Sequence, residues 1–247
     1  WINSHEEAWK KRGIFARHLW WHRALHYLEL ERFDDVLTAF DREYWPTPSE
    51  DNIDITNASS MLMRLAMLGI DVGDRWESVA KICEGRTKDR LRPFNDLHFI
   101  MALAVTGRIK AANEIVASMG RHVEENDGNL STLVDVYRNV GIPVGESIIA
   151  YAEKDYAKVV KLMSEARYRM LPLGGSWAQR DVWVRMLIDA AIKDGQDAYA
   201  RALLAERITD CPNSGPSWNL YANALDACGE NGGAKAARAR ATELLAA

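Results

Sequence analysis

Trp20, Ala24 and Tyr27, followed by Phe40 and Pro48, are spaced as the inner residues of one helix-turn-helix hairpin. A small residue at Ala24 lets two antiparallel helices approach closely, while the aromatics fill the space on either side. This spacing predicts helices over 14–31 and 33–44, the second stopped by Pro46 and Pro48. Gly13 is expected to end a short first helix that already includes Trp1. The same unit recurs in degenerate form over 58–69 with 73–83, and over 94–106 with 109–125 through Gly107-Arg108. It recurs over 144–153 with 156–169, and over 177–193 with 197–209 closed by Pro212. Trp218, Ala222 and Leu225 repeat the spacing once more, ahead of a last helix over 234–245. An additional helix is expected over 130–140. No segment alternates apolar and polar residues, so no strands are expected. The expected fold is all-α, a tetratricopeptide-like solenoid with a right-handed superhelix, built from roughly six hairpins of about 38 residues. Each hairpin would bury its face only against its neighbours. Nothing resembles a linker, so 1–247 reads as a single helical-repeat domain.

Composition excludes several function classes. The net charge of −4 provides no basic stripe for nucleic acid. The longest apolar runs, such as Phe99 to Val105, are too short to span a bilayer, and no signal-peptide pattern opens the chain. Three cysteines, Cys83, Cys211 and Cys228, form no CxxC pair and read as reduced thiols, which suits the cytoplasm. A start at Trp1 rather than Met suggests the C-terminal part of a longer protein. There is no phosphate loop, no Gly-x-Ser-x-Gly elbow and no His-Glu-x-x-His helix.

The candidate chemistry lies in two histidine clusters about two repeat periods apart, His18 to His22 and Asn95 to His98. With Trp20, Ala24 and Tyr27 buried, His18, Trp21 and His22 would face the concave side. His18 and His22 stand one turn apart, a spacing that can hold one divalent metal through two imidazoles. On the third hairpin Asp96 and Phe99 would face the same groove, while His98 would fill the aromatic packing position. Asp96 could complete a metal site or charge a histidine for acid–base work. The plainer alternative is packing for the histidines and helix capping for Asn95 or Asp96. Ser176 is a candidate N-cap after Gly174-Gly175. The amides there, together with Arg180, could take a carboxylate or phosphate. An intrahelical or inter-repeat salt bridge is the simpler reading of Arg180 and Asp181.

Four segments carry a resemblance: His18 with Trp21 and His22, the run 68–76, the run 94–98, and the run 174–181. Through them the chain resembles the C-terminal portion of the tetratricopeptide repeat protein 38 family, over nearly its whole length. The resemblance implies a helical-repeat fold and little about activity. Two positions depart from the family's pattern: Leu19 stands for Asn, and Trp177 for His.

The expected function is protein or ligand binding in a concave groove. His18, Trp21, His22, Asp96, Phe99, Trp177 and Arg180 would hold a peptide or a small polar ligand, with Asn95, His98 and Asp181 in supporting positions. The alternative is a hydrolase- or lyase-type enzyme with a His/Asp site. That site could carry a divalent metal, although no cofactor is expected for binding. A third reading is an oligomerisation scaffold, which predicts a homo-oligomer.

Overall fold

The helices end in a recurring way. Six times among the described residues the chain leaves a helix through a residue in the left-handed region, at Glu31, Gly69, Gly107, Lys154, Gly195 and Gly229. Each time the next amide reaches back five residues to a carbonyl: Arg32 to Tyr27, Ile70 to Leu65, Arg108 to Leu103, Asp155 to Ala150, Gln196 to Ala191 and Glu230 to Leu225. This closure satisfies carbonyls that a helix end leaves free, and it turns the chain back on itself. Glycine adopts the conformation without a Cβ penalty at four of the turns. Glu31 and Lys154 adopt it against that penalty.

The computed structural model describes residues 2–10, 13–90, 92–128 and 131–246. Fourteen α-helices run along the described residues: α1 (Glu6–Trp9), α2 (Ile14–Glu29), α3 (Phe33–Ala39), α4 (Asn52–Met67), α5 (Arg75–Glu84), α6 (Pro93–Val105), α7 (Ile109–Glu125), α8 (Thr132–Val136), α9 (Ile142–Ala152), α10 (Tyr156–Ala166), α11 (Trp177–Lys193), α12 (Asp197–Asp210), α13 (Gly215–Ala227) and α14 (Asn231–Ala246). There is no strand among them, so the all-α expectation stands. The expected helix over 130–140 is only α8, continued into α9 by a wider π turn at Tyr137–Gly141. A second π turn at Phe40–Tyr44 ends α3. The expected starts at Trp1 and Leu130 lie outside the described residues. Gly13, at φ 62°, stands just before α2 rather than closing α1, which already ends at Trp9.

Successive helices pair as hairpins: α2 with α3, α4 with α5, α6 with α7, α9 with α10, α11 with α12, and α13 with α14. The first helices of the early hairpins lie side by side, α2 on α4, α4 on α6 and α6 on α9. Then the order changes. α11 packs on α10 and also returns to α4. A hairpin that buried its face only against its sequence neighbours would not make this contact. It encloses α4, in which every residue from Asp54 to Leu65 is buried. α4 also begins six residues before the expected start at position 58. Asp51 caps it by accepting the Ile53 amide at 2.8 Å, and the polar run that follows is helical because it faces protein on all sides.

The buried face of α2 is rotated by one residue from the expected register. Trp21, Ala24 and Leu28 are fully enclosed. Trp20 is half-buried against Trp9, with ring centroids 5.1 Å apart, and Tyr27 is half-buried. Trp21 is therefore a core residue and does not face a groove. Both registers share Ala24, so the small-residue spacing alone does not separate them.

Lys154 is exposed and in the left-handed region. Lys154→Gly should raise stability by about 0.5–1 kcal/mol, because a non-glycine residue there costs about 1–2 kcal/mol and glycine's extra unfolded freedom offsets part of the gain. Chemical denaturation measures this, and a loss of stability would contradict the turn assignment.

Candidate functional site

α2 and the start of α11 are far apart in sequence, but the α4–α11 contact brings them together. Between them and the α12–α13 connection lies a cleft of about 490 Å³. His22, Trp177, Arg185, Arg207, Asp210 and Cys211 are among its lining residues.

The floor of the cleft is a chain of ion pairs. Asp181 receives Arg207 Nη1 at 2.5 Å and Arg185 Nε at 2.7 Å. Arg185 also reaches Glu29 on α2, 156 residues away. The other oxygen of Glu29 accepts Ser214 Oγ–H at 2.6 Å. Arg207 Nε donates to Ser217 Oγ at 2.9 Å. Burial alone would push the Asp181 carboxyl up, but the Arg185 and Arg207 guanidiniums overcome this and hold it well below the usual carboxylate range.

Trp177 opens α11. Ser176 caps the helix by accepting the Gln179 amide at 3.2 Å, and Gln179 Oε1 accepts the Ser176 amide at 2.8 Å. Gly175, at φ 71°, approaches Phe94 so closely that a Cβ there would lie 2.7 Å from the ring. This fixed turn presents Trp177 to solvent, and it remains 53% exposed. Arg180 gives its hydrogen bonds to the Gly174 and Gly175 carbonyls. Its guanidinium is thus a brace for the turn, and it forms no ion pair with Asp181.

His18 and His22 face each other, Nε2 to Nε2 at 3.1 Å, and His18 Nδ1 lies 3.2 Å from Asn57 Oδ1. A tautomer with Nδ1–H donating to Asn57 leaves His18 Nε2 to accept from His22. Burial lowers both pKa values. His22 is pulled down to about 4, further depressed by its neighbours His18 and His26. Both rings are neutral at pH 7.

The other expected residues lie elsewhere. Asp96 is buried and accepts Tyr137 Oη–H at 2.8 Å, so its partner is a phenol and not an imidazole. Burial raises its pKa to about 6, although the Tyr137 bond works in the other direction. Phe99 is fully buried under the Arg86 guanidinium. Trp21, Asp96 and Phe99 therefore do not line the cleft, because each is packed inside the helix array. His98 is a packing residue: Nδ1–H donates to the Phe94 carbonyl at 2.7 Å and the ring lies against Trp183. Asn95 sits half-buried in the first turn of α6, where Arg92 occupies the cap position without a side-chain bond. Of the expected set, His22, Trp177 and Asp181 share the cleft. Glu29, Arg185, Arg207, Asp210 and Ser214 were not anticipated there. Asp181 and Arg185 stand one helical turn apart, a spacing that suits an ion pair, but nothing local in the sequence points to Glu29.

Among the described residues, no three His, Cys, Asp or Glu side chains are grouped to hold a metal ion, and no helix is long and apolar enough to cross a membrane. No protein-family model matches the chain, and no solved structure matches it.

His98, like His22, is held to about pH 4 by burial. An unfolded histidine takes its proton near 6.5. Between these values the unfolded chain binds more protons, so these two residues cost stability as pH falls from 6.5 to 4. Asp96 acts oppositely between about 4 and 6, because it is protonated in the folded chain while still ionised in the unfolded one. NMR titration should place the His22 and His98 midpoints near 4, and His22→Gln should reduce the acid-induced loss of stability. Midpoints above 6 would contradict the assigned burial.

Proposed function

We propose that this chain is a binding protein of tetratricopeptide-like hairpins, and that its cleft takes a small polar ligand or a peptide segment. The observation that carries the reading is Trp177. It is a large exposed aromatic held by a rigid turn, and it borders two cavities. The 490 Å³ cleft lies on one side, and a hollow of about 190 Å³ beside Tyr168 and Val184 lies on the other. A ligand could lie across the indole and reach both. Exposed, rigidly held tryptophans are typical anchors of recognition surfaces. The six identical helix closures support the repeat reading, since one turn chemistry recurs at each hairpin.

The chemistry of the cleft favours binding over catalysis. Asp181, Arg185 and Arg207 satisfy one another, so the floor is a preset polar surface. Burial raises the Cys211 pKa, which leaves a protonated and weakly nucleophilic thiol at neutral pH. His22, with a pKa of about 4, is a weak general base at neutral pH and serves better as a hydrogen-bonding group.

Ligand-observed NMR with a set of short peptides and polar fragments tests the reading. Probes that bind the wild-type chain should bind Trp177→Ala about tenfold or more weakly, with the fold unchanged by circular dichroism. Binders indifferent to Trp177→Ala would place recognition elsewhere, and an absence of any binder would remove the binding reading of this cleft.

A further inference from the structure

His18 and His22 leave the same face of α2 one turn apart, and their Nε2 atoms lie 3.1 Å from each other. Their ring centroids are only 4.6 Å apart, with the rings inclined at 81°. A head-on N–H···N bond across that gap would set the centroids about 5.4 Å apart, since such a bond prefers a straight line. The rings are therefore bent toward each other, which lets both Nε2 lone pairs meet off the line that joins them. Two nitrogens bound about 2.0–2.1 Å from one ion, at any angle from square to tetrahedral, lie about 2.9–3.4 Å apart. The observed separation falls in that range without any movement of the side chains.

The surroundings hold the pair in place. Trp21 is fully buried, His18 stacks on it at 15°, and His22 meets it at 70°. Asn57 Oδ1, 3.2 Å away, accepts the His18 Nδ1–H and leaves His18 Nε2 with a lone pair. A metal-bound imidazole typically has such an acceptor on its far nitrogen. His22 presents a second lone pair when its proton sits on Nδ1. Asp54 stands one turn before Asn57 on α4, fully buried, and its charge acts on His18. Its Oδ2 accepts Arg17, but its Oδ1 has no hydrogen-bond partner. A buried carboxylate with a spare acceptor suits a nearby dication and the water bound to it.

We propose that His18 and His22 chelate one divalent transition-metal ion of the zinc class, which imidazole favours, at the mouth of the cleft. Among the described residues no third His, Cys, Asp or Glu completes the set, so the protein supplies two ligands and water fills the other positions. His22 lines the cleft, and the open positions are on its side. The site stands on the geometry of the two rings and does not rest on the function proposed for the cleft.

Isothermal titration of the whole chain with zinc chloride, and in parallel with magnesium chloride, is the test. One Zn²⁺ should bind per chain, and Mg²⁺, which demands oxygen ligands, should not bind at this site. His18→Ala and His22→Ala should each weaken Zn²⁺ binding at least about tenfold, and His26→Ala should leave it unchanged. An absence of Zn²⁺ binding, or binding that survives both of the first two variants, would overturn the proposal. An equal loss in His26→Ala would place the ion elsewhere and overturn it as well. If a variant does not fold, long-range ¹H–¹⁵N NMR of the wild-type chain supplies the second measurement. Zn²⁺ should shift Nε2 of His18 and His22 together and leave His18 Nδ1 protonated. Shifts confined to other histidines, or no shifts at all, would refute the site.

Discussion

The ion-pair chain from Glu29 through Arg185 to Asp181 and Arg207 is the interaction on which the rest of the structure depends. It joins α2 to α11, α12 and, through Ser214, the start of α13. Every member is at least half-buried. Removing Asp181 leaves the buried Arg207 guanidinium without a counterion, which typically costs about 3–5 kcal/mol. Such a network stabilises less through raw attraction than by making every other arrangement of these helices costly. It selects the return of α11 to α4 over an open row of hairpins.

That return explains both the cleft and the unusual content of α4. A helix enclosed on all sides ordinarily reads as apolar all round. α4 instead buries Asp54, Asn57, Ser59, Ser60 and Arg64. Three of these connect outward: Asp54 takes Arg17 at 2.6 Å, Asn57 meets His18 at 3.2 Å, and Arg64 donates to the Ala178 carbonyl in the first turn of α11. Polar groups inside the array thus tie α4 to the helices on either side. The same logic places His18 over Asn57 and sets the orientation of His22 at the mouth of the cleft.

Local physics was legible in the sequence. The helix over 109–125 and the one over 177–193 are found where expected, because Gly107 and Ser176 mark their ends chemically. Ser176 was readable as a cap for the same reason. What was not legible depends on distant partners. The sequence places the start of α4 only at position 58, because the burial of the polar run from Asp54 to Asn57 comes from distant helices. The face of α2 was misread by one residue because Trp20 and Trp21 are equally suited to packing, and only tertiary contacts choose between them. The place of Asp96 near a helix start suggests either a cap or an imidazole partner, whereas Tyr137, 41 residues on, reaches it from a π turn that periodicity does not reveal. Glu29 and Arg207 carry no local signal, so the floor of the cleft emerged only from the fold.

A double-mutant cycle between Glu29 and Arg185 tests the central claim most directly, because these residues meet only if the first hairpin closes onto α11. Stability would be measured by chemical denaturation for the wild type, Glu29→Gln, Arg185→Met and the double variant. Direct contact predicts a coupling energy of about 1–3 kcal/mol, as found for residues within one buried network. A coupling below about 0.3 kcal/mol, the additivity expected of distant sites, would contradict the closure of α2 onto α11 and the cleft built upon it.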